Sequence, residues 1–399
     1  VATILIIGGG IGGLAAALAL QQQGETVRVF ERAPAFGEVG AGLTVGPNMM
    51  HGLAWLGLAP AVLEVATIPD HGGVLDLATA GLLVENARGA APQAKYGQPY
   101  VQVHRADLHG LLAAAVLRND GDAVALDHCL TGVEQDAHGV VARFANGYTV
   151  RGDLLVGADG SRSAVREQLF PGQDPRFAGF VAWRGLVPMD SLPVLTLWPD
   201  SAILIAPGRS FARYRVSRGR LLNYAAFINS GDWTEESWSI PSGIDELLAH
   251  LPGSHPDVAT IIRATPPGGC FKWGLFDRDP LPRWTVGRVT LLGDAAHPML
   301  PFLGQGAAMA VEDAVVLARA LAAQPGSPAA LELYEATRRD RTAFVLEASR
   351  GAVRRFHGTG TGGYTRREHR DAEALGLFTY RPGSAPLGEP GLPAGTAVG

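Results

Sequence analysis

Cysteine is nearly absent. The 399 residues hold two, Cys129 and Cys270, too few for a disulfide framework and too far apart for a redox or metal pair. That excludes disulfide-reductase chemistry and leads one to expect a reduced, cytoplasmic setting. Basic runs interleaved with aromatics are also missing, and the net charge is −5, so nothing is offered to nucleic acid. No apolar window reaches the ~18 residues of a membrane span. The first strand begins so near residue 1 that no signal peptide fits before it, and a soluble enzyme with no membrane partner is expected. There is no internal repeat and no metal-ligand cluster. The one compositionally biased segment is the Gly/Pro/Ala-rich end, 381–399, expected to be mobile.

What is present is apolar and glycine-rich. Nearly half of the residues are apolar, enough for a large core spread over two or three domains. The β-branched run Thr3 to Ile7 reads as a buried strand. It breaks at Gly8, Gly10 and Gly13, spaced G-x-G-x-x-G, and the Ala/Leu run Leu14 to Leu20 is strong helix sequence. In such a turn the first glycine allows the tight bend, the second the approach of a pyrophosphate, and the third close packing of helix on strand. A second strand, Thr26 to Phe30, ends in Glu31, placed to accept from ribose hydroxyls.

Further along, 37–48 is a glycine-dense loop with a short strand, followed by an apolar helix to about Leu58. Two alternating runs over 73–86 read as a hairpin, and 100–103 as another strand. His104 to His109 opens a helix through Leu117; its Arg105 is either a surface charge or a forked donor for phosphate. Ala123 to Leu130, Val140 to Phe144 and Tyr148 to Arg151 read as a meander. The strand 153–158 ends in Asp159-Gly160 ahead of a helix to Leu169. Asp159 either caps that helix or sits among the ligands that collect beyond strand ends. Over 179–229 the period switches to two, with strands 181–187, 194–198, 203–205, 211–216 and 221–228. These suit a mostly antiparallel sheet flooring a substrate site, on which Ser210, Ala212 and Tyr214 share a face. The polar stretch 235–263 reads as helical.

The second anchor is Val289 to Pro298, a buried strand delivering Asp294 at its tip, then a turn through Gly306 and a helix to Ala323. Asp294 suits a polyol hydroxyl. The helix N-terminus suits a group that becomes anionic, such as the N1–C2=O edge of a flavin. His297 reads as a structural, hydrogen-bonded histidine because no catalytic partner is visible beside it. The helical stretch 330–355 suits either a homodimer contact or packing on its own domain.

Together, Gly8-x-Gly10-x-x-Gly13 with Glu31, Asp159-Gly160 with Arg162, and Gly293-Asp294-Ala-Ala-His-Pro298 with Gly304-Gln-Gly306 and Glu312-Asp313-Ala314 resemble the single-component (group A) FAD-dependent monooxygenases, from residue 1 to about 345. Phe30-Glu-Arg32, Gly37 to Asn48, His104 to His109 and Asp277-Arg-Asp-Pro280 look most like the branch of 3-hydroxybenzoate 6-hydroxylase, salicylate hydroxylase and 6-hydroxynicotinate 3-monooxygenase. The resemblance implies an α/β fold: a Rossmann-like FAD-binding domain of p-hydroxybenzoate hydroxylase type with an inserted, mostly antiparallel β-sheet substrate domain. The FAD-binding parts would be 1–72, 101–175 and 276–345, the substrate parts the hairpin 73–100 and the sheet 176–275, with a C-terminal helix and tail over 346–399.

It further implies that Gly8, Gly10, Gly12 and Gly13 cradle the FAD pyrophosphate, and that Glu31 with Arg32 holds the ribose. Arg105 would meet the pyrophosphate and ribityl region, Leu130 backbone the adenine, Asp159 the Asp-Gly fingerprint shared by FAD and NAD(P)H, and Asp294 the ribityl chain. Thr44, Gly304, Gly306, Ala307 and Ala308 would line the isoalloxazine, with Pro298 at its reacting edge. NADH or NADPH, undistinguished here, would reduce FAD as a transient co-substrate. O2 would then form a flavin C4a-hydroperoxide that hydroxylates a small aromatic or N-heteroaromatic ring. Substrate contacts would come from Tyr214, Ser210, Arg184, Pro301 and Phe302, with Arg184, Arg209, Arg213 and Arg215 around the sheet favouring an aromatic carboxylate, although alternation turns two of them, Arg213 and Arg215, to the other face.

The departures lie in the substrate site. Relatives place a histidine at the position of Ser210, where it helps deprotonate a substrate hydroxyl; Tyr214 is retained and the histidine is not. The alternatives are an epoxidase or dearomatising oxygenase, and a flavoprotein that oxidises NAD(P)H without oxygenating its ligand.

Overall fold

The buried run Thr3–Ile7 forms the centre of a five-stranded sheet in the computed structural model, which describes all residues except 38–39, 194–196, 232, 234–239, 359–363, 365–368, 390 and 394–399. The strand order is Val289–Leu291, Leu154–Gly157, Thr3–Ile7, Thr26–Phe30, Val124–Ala125, and every pairing is parallel. Such strands are covered on both faces, hence their unbroken apolar sequence. The helix Ile11–Gln22 is likewise buried nearly all round, between this sheet and the helix Gly306–Ala323.

The second sheet has eight strands, in the order Ile240–Pro241, Phe271–Asp277, Arg176–Pro188, Leu221–Asn229, Arg209–Val216, Ser201–Ala206, His71–Asp76, Leu82–Ala87. All its pairings are antiparallel except that of Ser201–Ala206 with His71–Asp76. One face packs on the helices Ile244–Ala249 and Pro256–Arg263, and the other carries Leu300 and Phe302, from the segment that follows Val289–Leu291. A short pair, Gly42–Val45 with Val101–His104, lies between the two bodies.

Several expectations need correction. Ala123 to Leu130 is not one strand: Val124–Ala125 joins the parallel sheet, and the meander starts afresh at Leu130–Asp136. The hairpin is an edge of the eight-stranded sheet, and a helix, Ala90–Tyr96, follows it. Phe271–Asp277 is a strand that the sequence reading omitted. The expected strand 194–198 and the start of the helical stretch from 235 fall largely outside the described residues. The described part of the C-terminal tail is held: Pro382 and Ala385 carbonyls accept from Arg319, and the Gly391 carbonyl from Arg341.

The 30-residue helix Pro328–His357 buries Ala330, Leu331, Tyr334 and Val345 within its own chain, which accounts for its amphipathicity. At 1.5 Å per residue it is about 45 Å long and reaches from the first sheet to the second.

Candidate active site

The glycine turn is built as its spacing predicts. Gly8 has φ +106°, and a Cβ on Gly13 would lie 1.9 Å from the Gly8 carbonyl oxygen, so neither position admits a side chain. Around Gly10, by contrast, there is open space. At Gly12 a Cβ would press on Leu292 and Ala310, so the absence of a side chain there also serves helix packing. Glu31 Oε2 accepts from the Gly9 N–H at 2.7 Å, which fixes the carboxylate at the mouth of the turn, and Arg32 beside it is exposed. No side chain caps the helix that starts at Ile11, and no acid sits in its first turn.

Asp294 is half-buried just beyond the tip of Val289–Leu291. Burial pushes its carboxyl up, against the opposing pull of His297, Arg105 and Arg166. Arg105 is pulled down by its own burial and partly restored by Asp294, so cation and carboxylate converge. The helix Gly306–Ala323, which carries Ala307 and Ala308, also begins without a side-chain cap or an acid. Asp159 caps the helix Ala164–Leu169: its Oδ1 accepts from Ser163 Oγ at 2.5 Å and its Oδ2 from the Ala164 N–H at 2.7 Å. From the same helix Arg166 donates to the Ala295 carbonyl at 3.0 Å, tying the Asp-Gly turn to the Asp294 loop. Leu130 opens the meander, half-buried against the first core.

Two loops far apart in sequence meet over the second sheet. A Cβ on Gly304 would stand 2.4 Å from Thr44 Oγ1, and one on Gly42 would stand 2.5 Å from Tyr214 Cε2. The junction is pinned by Asn48, whose Nδ2 donates to Gln305 Oε1 at 2.9 Å and Glu312 Oε1 at 2.7 Å. Glu312 and Asp313 belong to a buried charge network. Arg338 meets Glu312 at 2.8 Å and Asp313 at 2.7 Å, and Arg341 meets Glu312 at 2.8 Å. His297 Nε2 pairs with Asp313 at 2.6 Å, and Asp313 also accepts from the Gly293 N–H at 3.1 Å. Burial pushes both carboxyls up, yet Arg341 and Arg338 hold Glu312, and His297 and Arg338 hold Asp313, below the usual carboxylate range. His297 is thus the hydrogen-bonded histidine expected. The arginines were missed, because nothing in a long helix marks which of its cations turn inward.

Cross-strand partners share a face, so register defines the floor. Ser210, Ala212 and Tyr214 stand opposite Phe227, Ala225 and Asn223; Ala225 and Phe227 in turn stand opposite Arg184 and Ala182, and Ala182 opposite Trp273. Leu300 and Phe302, from the loop after Asp294, pack on this face. Beside them is a cleft of about 100 Å³ lined by Trp273, Leu275, Asp294, Pro298, Leu300 and Pro301. Of the four arginines around the sheet, Arg213 and Arg215 lie on the other face as alternation predicts, and Arg209 lies there too: Arg209 donates to the Pro252 carbonyl and Arg213 to the Pro199 carbonyl. Arg184 remains on the floor, its guanidinium 5.0 Å from the Trp273 ring. Burial, then Arg105, pulls it down to about 10. The Tyr214 phenol is pushed well up by burial, so it donates a hydrogen bond and is a poor base. Ser210 has a partner that its position in sequence does not show: His357 Nε2, 2.9 Å from its Oγ.

These residues fit FAD. An uncapped helix N-terminus behind open space at Gly10 suits a pyrophosphate, and half-buried Asp294, with the charge of Arg105 acting on it, beside a second uncapped helix suits a polyol chain and a ring edge that gains charge. Fold and site together define a flavin-dependent oxidoreductase. The chain belongs to the family whose model is described as FAD binding domain, matched over residues 1–349. It is 39% identical over 359 residues to 3-amino-4-hydroxybenzoate 2-monooxygenase PtnB3 of Streptomyces platensis, covering 89% of this chain and 88% of that one. It is 37% identical over 350 residues to 6-hydroxynicotinate 3-monooxygenase of Pseudomonas fluorescens, covering 87% and 90%. Among solved structures, Klebsiella pneumoniae HpxO complexed with FAD and uric acid superposes with a TM-score of 0.81 at 29% identity, covering 95% of each chain. The protein is a flavoprotein monooxygenase that uses FAD, with NAD(P)H as its co-substrate. Among the described residues no helix is long and apolar enough to cross a membrane.

Proposed function

We propose that this cytoplasmic enzyme hydroxylates a small aromatic carboxylate bearing a ring hydroxyl. The observation that carries the reading is Arg184, a residue 7% exposed on the floor, its guanidinium next to the Trp273 ring and influenced by a second cation, Arg105. A guanidinium set beside an aromatic ring can hold a carboxylate carried on a flat ring through its forked donors. Curated relatives include enzymes named for 3-amino-4-hydroxybenzoate and 6-hydroxynicotinate, both aromatic acids with a ring hydroxyl.

In this reading the Gly8–Gly13 turn and Glu31 hold the adenosine diphosphate part of FAD, with Arg105 and Asp294 on its ribityl chain. Thr44 and the 304–308 backbone flank the flavin ring. When bound, FAD takes a hydride from NAD(P)H and activates O2 for insertion of one oxygen atom into the substrate. Arg184 orients the carboxylate, Tyr214 donates to the substrate, and Pro298, Pro301 and Phe302 keep water from the reacting edge. The residue ranges 73–100 and 176–275 form the substrate part, joined to FAD-binding parts on either side.

The test is to screen hydroxylated aromatic acids for acceleration of NAD(P)H oxidation and to weigh the product. A new ring hydroxyl supports the proposal. A product with an epoxide or ketone and a lost aromatic ring identifies the dearomatising alternative. Peroxide equal to the NAD(P)H consumed, with every ring unchanged, identifies an oxidase. Arg184→Met is expected to lower kcat/KM for the carboxylate by about 100-fold, the worth of one charged hydrogen bond in a desolvated site. The same variant should leave the corresponding carboxamide nearly unaffected, and equal losses on both would remove Arg184 from carboxylate recognition.

A further inference from the structure

The last turn of the helix Pro328–His357 brings a histidine onto the substrate floor from a stretch of sequence 147 residues beyond the strand it meets. Ser210, wholly buried, lies on the same face as Tyr214, and its Oγ is 2.9 Å from His357 Nε2. The tautomer is set by a second bond: His357 Nδ1 is 3.2 Å from the Val353 carbonyl, which can only accept, so Nδ1 carries the hydrogen and Nε2 accepts from the serine. The ring is held between Phe180, at 4.4 Å, and Phe302, at 5.4 Å between centroids. Phe302 follows directly on Pro301, which lines the cleft, in the loop that leads from Asp294 to the Gly306–Ala323 helix. Ser210 is wholly buried and His357 partly exposed.

We infer that Ser210 and His357 form a proton relay that carries the substrate's hydroxyl proton from the chamber to solvent, with His357 acting through Ser210. The inference rests on the reading of the substrate as a ring-hydroxylated aromatic. The step balances as a double transfer. The substrate O–H proton passes to Ser210 Oγ while the Ser210 proton passes to His357 Nε2, giving a phenolate and an imidazolium; the imidazolium then gives a proton to water. Burial pulls the imidazole down to about 4, so it is neutral at working pH and releases quickly what it accepts. A lone serine would have nowhere to send its proton, and Tyr214 is pushed the wrong way to serve as the base.

The experiment uses FAD-loaded enzyme mixed rapidly with two chromogenic phenols, 4-nitrophenol and 4-hydroxy-3-nitrobenzoate, at a pH where each is partly neutral in solution. Phenolate absorbance then reports proton loss with no turnover. His357→Gln keeps a hydrogen-bond acceptor for Ser210 but cannot relay. It is expected to bind both probes as the unaltered enzyme does while releasing the proton about 100-fold more slowly, the usual worth of a positioned base. His357→Ala should behave alike and recover with added imidazole, and Ser210→Ala should be slow without recovery. Retained FAD and an unchanged melting curve show that the variants are folded. If His357→Gln ionises either bound probe as fast as the unaltered enzyme, the relay is wrong and the substrate reading stands. If the unaltered enzyme holds FAD yet binds neither probe, the substrate reading falls and the relay with it.

Discussion

Gly13→Ala is expected to yield a protein that retains no FAD. A methyl group at residue 13 would sit 1.9 Å from the Gly8 carbonyl oxygen, and that oxygen cannot retreat because the Gly8 residue is itself wedged against Ala158 and Asp159. The turn must therefore open, which displaces the helix N-terminus that faces the pyrophosphate. Gly10→Ala separates this effect from simple misfolding. Nothing lies within 4 Å of a Cβ there, so the variant should fold normally, with the methyl occupying the approach of the pyrophosphate. A loss of about 3 kcal/mol in binding, or about 100-fold, is expected for Gly10→Ala and more for Gly13→Ala. Titration of the stripped proteins with FAD, followed by flavin fluorescence quenching, measures both. Unaltered affinity in Gly10→Ala would mean that the pyrophosphate lies elsewhere.

Arg338→Met is expected to cost about 3–5 kcal/mol of stability, the usual result of removing one partner from a buried ion pair. Arg338 is fully buried between Glu312 and Asp313, and Asp313 also holds His297 and the Gly293 N–H. Methionine fills the volume but leaves two carboxylates sharing Arg341 and His297. One of them must take up a proton or leave the core, and the Asp294 loop moves with it. Guanidinium unfolding at saturating FAD measures the loss. The exposed pair Arg143–Glu134, at 3.0 Å, is the control, and its removal should leave stability nearly unchanged because solvent screens it.

What the sequence shows of this molecule is what is local. The Gly8–Gly13 turn, the strand ending at Asp294 and the alternation around Ser210 are each written in a few consecutive residues, because strand, turn and helix start are short-range structures. The family resemblance rests on those same stretches, and the family, the fold class and FAD follow from it. The groups that were not legible arrive from far away. Arg338 and Arg341 sit in a run of four charged residues, 338–341, and only packing decides which of its cations face Glu312 and Asp313. His357 meets Ser210 across 147 residues, so a missing histidine in one strand is answered by another from the chain's last helix. Phe271–Asp277 was passed over since its glycine and charged end blur the alternation, and Val124–Ala125 is too short to show any period. The crowding of Gly12 by Leu292 and Ala310 was not legible either, because those neighbours come from some 300 residues further on.

The two large sheets are threaded through one another. The parallel sheet takes strands from residue 3 to residue 291, and the eight-stranded sheet takes its own from residue 71 to residue 277, inside that span. On the ribosome the eight-stranded sheet cannot be completed until residue 277 has emerged, nor the parallel one until residue 291, and the nascent chain must keep its apolar strands apart for all that time. Truncated pieces such as 1–175 are accordingly expected to aggregate rather than behave as free-standing modules, and maturation should be among the steps most responsive to chaperones and to the supply of riboflavin-derived cofactor.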